Sequence, residues 1–183
     1  MRADPLKGAL AALHGASSFE IQNLLARFAE RRLRDGIRVA GVTEIAEAVP
    51  KGACRSLALR EIGTGAQFPI AQDLGPGSAA CNLDTNGLAA ACARVLSAIE
   101  GGADVVVLSK FGKIEASGGG LLDCFAAAAG AGLPCVAGVS PALAAPFAEW
   151  AGDFCEWVEA SDGALEAWWL ARRSAFVNPS RPE

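Results

Sequence analysis

ADVVVLSKFGKIEASGGGL, residues Ala103 to Leu121, is the stretch around which the rest of this chain reads. Val105 to Leu108 is an unbroken apolar run, mostly β-branched, that follows the turn residues Gly101 and Gly102. Such a run predicts a strand buried on both faces, as in a parallel sheet. Ser109, Lys110, Phe111, Gly112, Lys113 and Glu115 come directly after it, and Gly118, Gly119 and Gly120 lead into an apolar helical segment. In open α/β sheets ligands bind beyond the carboxyl ends of the strands. Two lysines, a carboxylate and a glycine triplet at such an end have the composition of a site.

Toward the N-terminus, Ala9 to Leu13 predicts a first strand and Gly15 to Ser18 a loop. Ile21, Leu24, Leu25 and Phe28 then recur at helical spacing. Ser17 with Glu20 matches a capping box, and Gly36 marks the helix end. Ile37 to Val42 predicts a second strand. Residues 43–86 change character, with many Gly, Pro and turn residues. Leu57 and Leu59 alternate with polar or small neighbours, Phe68 to Ala71 is the expected partner strand, and Gly63, Thr64 and Gly65 supply the turn. This stretch reads as an inserted β-hairpin and loop, broken at Gly75, Pro76 and Gly77. Leu88 to Glu100 reads as the helix before the central strand.

Toward the C-terminus, Leu121 to Ala129 is an alanine-rich helix and Cys135 to Val139 a further buried strand. Pro141 suits a first helical turn, and Pro146 predicts a kink or restart. Cys155 to Val158 fits an edge strand. The last helix spans about Ala164 to Arg173, with Leu165, Trp168 and Trp169 on one side. Alternating strands and helices predict an α/β three-layer sandwich with a mainly parallel sheet. The expected organisation is one α/β domain over residues 1–177 and a flexible polar tail over residues 178–183.

Composition narrows the function. The chain has 183 residues, of which 52% are hydrophobic, and a formal net charge of −4 with acids and bases intermixed. That gives no electrostatic case for nucleic acid. No apolar run is long enough for membrane insertion, and the N-terminus makes a poor secretory signal, so a cytoplasmic protein is expected. Six cysteines without a CxxC pair, and the lone histidine His14, argue against a structural metal and for reduced thiols. Four tryptophans cluster near the C-terminus. They suit packing of the last helix, and an exposed member is a candidate anchor for a homodimer.

HGASSFEIQ, residues 14–22, occupies the place of a phosphate-binding loop. The full pattern, G-x-x-x-x-G-K-[ST], surrounds phosphates with backbone N–H groups and reaches them with a lysine. Here there is one glycine and no lysine, so the loop is a shortened one. Gly15, Ser17 and Ser18 are candidate anion contacts at the helix N-terminus, against ordinary capping by Ser17. His14 is a candidate phosphate donor or acid–base group, against a structural hydrogen bond at a strand end. Lys110 and Lys113 suit charge neutralisation of an oxyanion, and Glu115 the orientation of a water or a metal, against a solvated salt bridge. Gly118, Gly119 and Gly120 would admit close ligand approach. Asp104 precedes the central strand and is badly placed to hold Mg²⁺, while Asp73 and Asp84 read as turn and cap residues.

At SKFGKIEASGGGL the chain resembles an uncharacterised bacterial family known only as a domain of unknown function, of the DUF2478 type. Its hallmark is an NKFGK-x-EA-x-G-x-G run after a buried strand. Ser109 stands where asparagine is expected, and Lys110, Phe111, Gly112, Lys113, Glu115, Ala116, Gly118 and Gly120 match. CNLD at Cys81 to Asp84 and RVAGV at Arg38 to Val42 match as well, so the resemblance runs from the first strand to about Trp150. It implies a P-loop NTPase-like fold and a small anionic ligand: a nucleotide with Mg²⁺, or an oxyanion, since members are associated with molybdate uptake genes. The two expectations are a nucleotide-binding NTPase-like protein with a degenerate phosphate loop, and a non-catalytic molybdate-type oxyanion-binding or regulatory protein. In either, the anion would lie between Gly15–Ser18 and Lys110–Gly120.

Overall fold

The computed structural model describes residues 7–46, 57–72 and 82–176. Five strands run parallel: β1 (Leu10–His14), β2 (Val39–Ala46), β7 (Val105–Phe111), β8 (Cys135–Val139) and β9 (Cys155–Glu159). β3 (Leu57–Glu61) and β4 (Gln67–Pro69) add antiparallel to β2, giving the order β4-β3-β2-β7-β8-β1-β9. β5 (Ala71–Gln72) and β6 (Asn82–Leu83) form a separate short pair. The helices are α1 (Ser18–Arg34), α2 (Thr85–Glu100), α3 (Lys113–Ala116), α4 (Leu122–Gly130), α5 (Ala144–Ala151) and α6 (Asp162–Phe176). The α/β class and the mainly parallel sheet are as expected.

The period of a strand explains the layers. Successive side chains point to opposite faces, so the run after Asp104 feeds two cores. Val105 and Val107 pack with Leu24, Leu25 and Phe28 of α1 and with Leu165, Trp168 and Trp169 of α6. Val106 and Leu108 pack with Val95 of α2, Phe125 of α4 and Phe147 of α5. All four residues have no accessible surface, which is why the run is apolar throughout.

The direction of travel explains which face each helix takes. From β1 the chain crosses to β2 at one side of the parallel set. It then returns through β7 and β8 and steps past β1 to β9. Right-handed crossovers in opposite directions put their helices on opposite faces. β1 and β8 are neighbours whose connections leave to opposite faces, α1 to one and α5 to the other. The carboxyl ends of two such strands frame a crevice.

Several boundaries differ from expectation. β2 runs on to Ala46, because past its parallel pairing with β7 it pairs with β3 instead. The hairpin is therefore an edge of the main sheet. β7 runs on to Phe111 through a bulge: Leu108 pairs with Ala137 and Lys110 with Gly138, leaving Ser109 out of register. Lys110 thus belongs to a strand and not to a loop. Pro141 opens a short 3-10 turn, Pro141–Leu143, and α5 restarts after it with Pro146 in its first turn. Gly75 to Gly77, Asp73, Cys81 and the tail at residues 178–183 lie outside the described residues.

Candidate functional site

A cavity of about 560 Å³ opens at the carboxyl ends of β2, β7 and β8. Ser18, Ile21 and Gln22 of α1 line it together with Lys110, Gly112, Lys113 and Glu115 after the central strand, and Gly138 and Ser140 after β8. Leu57, Leu59, Ile70, Leu88, Ile114, Leu121 and Leu143 make the rest of its wall largely apolar. The first loop and the segment after β7 thus reach one cavity. Ser18 is the member of the first loop on its wall. His14, Gly15, Ser17, Gly118, Gly119 and Gly120 are not part of the lining.

The way α1 approaches the sheet shapes this corner. Gly138 on β8 leaves room for it: a Cβ there would meet Ile21 Cγ2 at 2.8 Å. The bulge frees the Ser109 carbonyl, which accepts from Gln22 Nε2 at 2.7 Å. Gln22 Oε1 in turn accepts from the Glu44 backbone N–H at 2.8 Å. One buried amide thereby ties α1 to the ends of both β7 and β2. Gln22 had no sequence signal beyond being a polar residue next to Ile21 on the buried face of α1.

The two lysines differ in what holds them. Lys110 Nζ lies 2.7 Å from Glu44 Oε2. That oxygen is buried, and the ammonium is its partner among the described residues. Lys113 is exposed, lines the cavity and forms no ion pair among the described residues. Glu44, at the end of β2, is a participant that sequence reading missed. It fell in the stretch taken for an insert, and only the continuation of β2 reveals it.

Glu115 is buried, with 6% exposure, and both its oxygens are engaged. Oε2 accepts from the Gly112 N–H at 2.8 Å and Oε1 from the Leu121 N–H at 2.9 Å. It clasps the two ends of the segment from Gly112 to Leu121. Gly120 makes room for that clasp. Its φ is +62°, and a Cβ would sit 2.1 Å from Glu115 Oε1. The glycine there serves a side chain of the protein itself.

The first loop closes on itself. Ser17 Oγ accepts from the Glu20 N–H at 3.3 Å and donates to Glu20 Oε2 at 2.6 Å, while the Ser17 N–H also donates to that oxygen at 2.8 Å. The hydroxyl and the backbone N–H of Ser17 hold the exposed Glu20 carboxyl below its ordinary range. The negative charge at the α1 N-terminus is thus supplied by the chain. His14 is exposed and set edge-on against Trp157 at 5.8 Å, on the β9 side of β1. Asp84 caps α2, accepting from the Asn86 and Gly87 N–H groups.

Mg²⁺ prefers octahedral oxygen ligands, usually including a carboxylate. The two carboxylates on the cavity wall are engaged, Glu44 by an ammonium and Glu115 by two amides. No group of three or more His, Cys, Asp or Glu among the described residues is placed to hold a metal ion. The residues present do not fit a bound Mg²⁺. No helix among the described residues is long and apolar enough to cross a membrane.

Comparison with known proteins gives two positive findings. The chain is 34% identical over 150 residues to the molybdenum import ATP-binding protein ModC 2 of Bradyrhizobium diazoefficiens. That match covers 82% of this chain and 17% of the relative, so the chain spans about a sixth of a much longer protein. No solved structure matches. The model of the family described as "Protein of unknown function (DUF2478)" matches residues 10–168, and this chain belongs to that family.

Proposed function

We propose that this chain binds a nucleotide-type anion in the cavity at the ends of β2, β7 and β8, and does so without hydrolysing it. The observation that supports this most is the convergence of Ser18 and Lys113 on one largely apolar cavity at the strand ends. An apolar wall with a few placed polar groups suits a ligand with a flat organic body and an anionic end. Lys113 would meet the anionic end, since it is free of an ion pair among the described residues. Lys110 would take part only by exchanging its Glu44 partner for the ligand. Hydrolysis would need a polar side chain free to orient a water, and Gln22 on the cavity wall is already bound at both ends of its amide. Glu115 already accepts two N–H groups, which is why binding is proposed without turnover.

Calorimetry with ATP, ADP, GTP and GMP tests this. The expected result is binding by at least one of them, weakened about tenfold in Lys113→Ala, the size of one charge-assisted contact. No heat and no thermal shift with any nucleotide would end the reading.

A second reading is favoured by the likeness to ModC 2, a molybdenum import ATP-binding protein. In it the ligand is a molybdate-type oxyanion and the chain a regulatory module. Titration with molybdate, tungstate and sulfate separates the two, because the nucleotide reading expects no selective response to molybdate over sulfate.

A further inference from the structure

A second chemistry-bearing feature lies behind the cavity, in the helix layer on the opposite side of the sheet from α1. Cys92 on α2 and Cys124 on α4 are 32 residues apart in sequence, yet their sulfurs are 3.3 Å apart. Cys124 is fully buried, and Cys92 keeps 8% exposure. Cys92 lies one turn after Leu88, and Cys124 three residues after Leu121. Both leucines line the cavity. The two thiols therefore meet between α2, which carries part of its wall, and α4, which begins directly after Leu121.

We propose that Cys92 and Cys124 are a hydroperoxide-reactive thiol pair that closes to a disulfide between α2 and α4. The pair is asymmetric in a way that suits this order of events. The Cys124 thiol donates to the Cys92 carbonyl at 3.6 Å, and the contact between the two sulfurs lowers the pKa of Cys92 while, together with burial, it raises that of Cys124. The thiolate is the nucleophile, and Cys92 is the member of the pair that keeps some exposure, 8% against none for Cys124. Cys92 thiolate attacks the peroxide O–O bond, takes one oxygen as sulfenic acid and releases hydroxide, which leaves as water with the proton the thiol lost. Cys124 then attacks the sulfenic sulfur, the S–S bond forms, and the sulfenic oxygen leaves as a second water. Two thiols are oxidised by two electrons in all, and one peroxide is reduced to two waters. The two partners supply the attacking and the resolving sulfur from adjacent helices. Cys135, which is buried on β8, and Cys155 serve as internal controls.

The test uses the full-length protein, reduced, freed of reductant, exposed to hydrogen peroxide, alkylated and mapped by mass spectrometry without reduction. The expected product is the Cys92 peptide joined to the Cys124 peptide, lighter by two hydrogens than their sum and separated by dithiothreitol. In Cys124→Ser, the expected product is Cys92 sulfenic acid trapped by dimedone. The proposal is overturned if both thiols stay alkylatable after peroxide, whether or not other cysteines oxidise. It is equally overturned if Cys92 passes to sulfinic acid without linkage, or if either sulfur is found joined to a different cysteine. The wild-type map decides the matter even where a variant fails to fold. The outcome is independent of what the cavity binds.

Discussion

The loop after β1 and the loop after β7 both close through a glutamate at the third position of the following helix. In the first, Glu20 accepts from Ser17 in full solvent. In the second, Glu115 accepts from Gly112 and also reaches forward to Leu121, inside the core. The local device is the same and the environment is opposite. An exposed cap competes with water for every hydrogen bond, while a buried one has no substitute. The first loop can therefore change at little cost, and the second is fixed by the fold around it.

The largest effect is expected at Glu115. Glu115→Ala leaves the buried Leu121 N–H and the part-buried Gly112 N–H without partners, and each such loss costs about 1–3 kcal/mol. Urea unfolding should show a loss of about 3 kcal/mol. A loss under about 1 kcal/mol would mean that water replaces the carboxylate, and the contrast between the loops would disappear.

Gly120→Ala comes next. It places a Cβ 2.1 Å from Glu115 Oε1 at a φ of +62°. The left-handed backbone alone costs an L-residue about 1–2 kcal/mol, and the carboxylate must also move. A loss of about 2 kcal/mol is expected. The double variant Glu115→Ala with Gly120→Ala should lose less than the sum of the two, since the clash disappears with the carboxylate. Additive losses would break the link between the glycine and the clasp.

Sequence reading located these two loops because the signals were local. The run Val105 to Leu108, the capping box at Ser17 and the prolines at 141 and 146 each act within a few residues. What it missed depends on partners far along the chain. Lys110 looked like a loop residue because a bulge, which leaves no mark in composition, carries β7 three residues farther. Glu44 and Gln22 matter only because β2 and α1 meet above that bulge, 22 residues apart in sequence. The glycine triplet was legible as special, yet its reason was not. At Gly120, a carboxylate five residues back takes the space that a Cβ would fill.

Ser17→Ala should have a smaller effect than either change in the second loop. Loss of an N-cap hydroxyl costs about 1 kcal/mol. Replacement by aspartate, another good cap residue, would restore capping while placing a second carboxylate beside Glu20, so Ser17→Asn is the cleaner rescue. If Ser17→Ala were as costly as Glu115→Ala, the exposed loop would be bearing load that its surroundings do not explain.

The smallest effect is a titration. The Ser17 hydroxyl, first, and the Ser17 backbone N–H, second, favour the charged form of Glu20 and depress its carboxyl pKa. A carboxyl depressed in the folded protein contributes stability at pH values above its unfolded pKa. That contribution is lost as pH falls through the folded value, so it belongs to the acid side of the ordinary glutamate range. Glu20 is fully exposed, which keeps the effect small and makes it sensitive to salt. Carbon-detected NMR titration of the Glu20 carboxyl should find a midpoint below that of an unstructured glutamate. Ser17→Ala should move the midpoint most of the way back, because it removes the larger cause and leaves the backbone donor. A wild-type midpoint at the ordinary value would show that water already outcompetes the cap, leaving the α1 N-terminus freer for an incoming anion than the hydrogen bonds of this loop suggest.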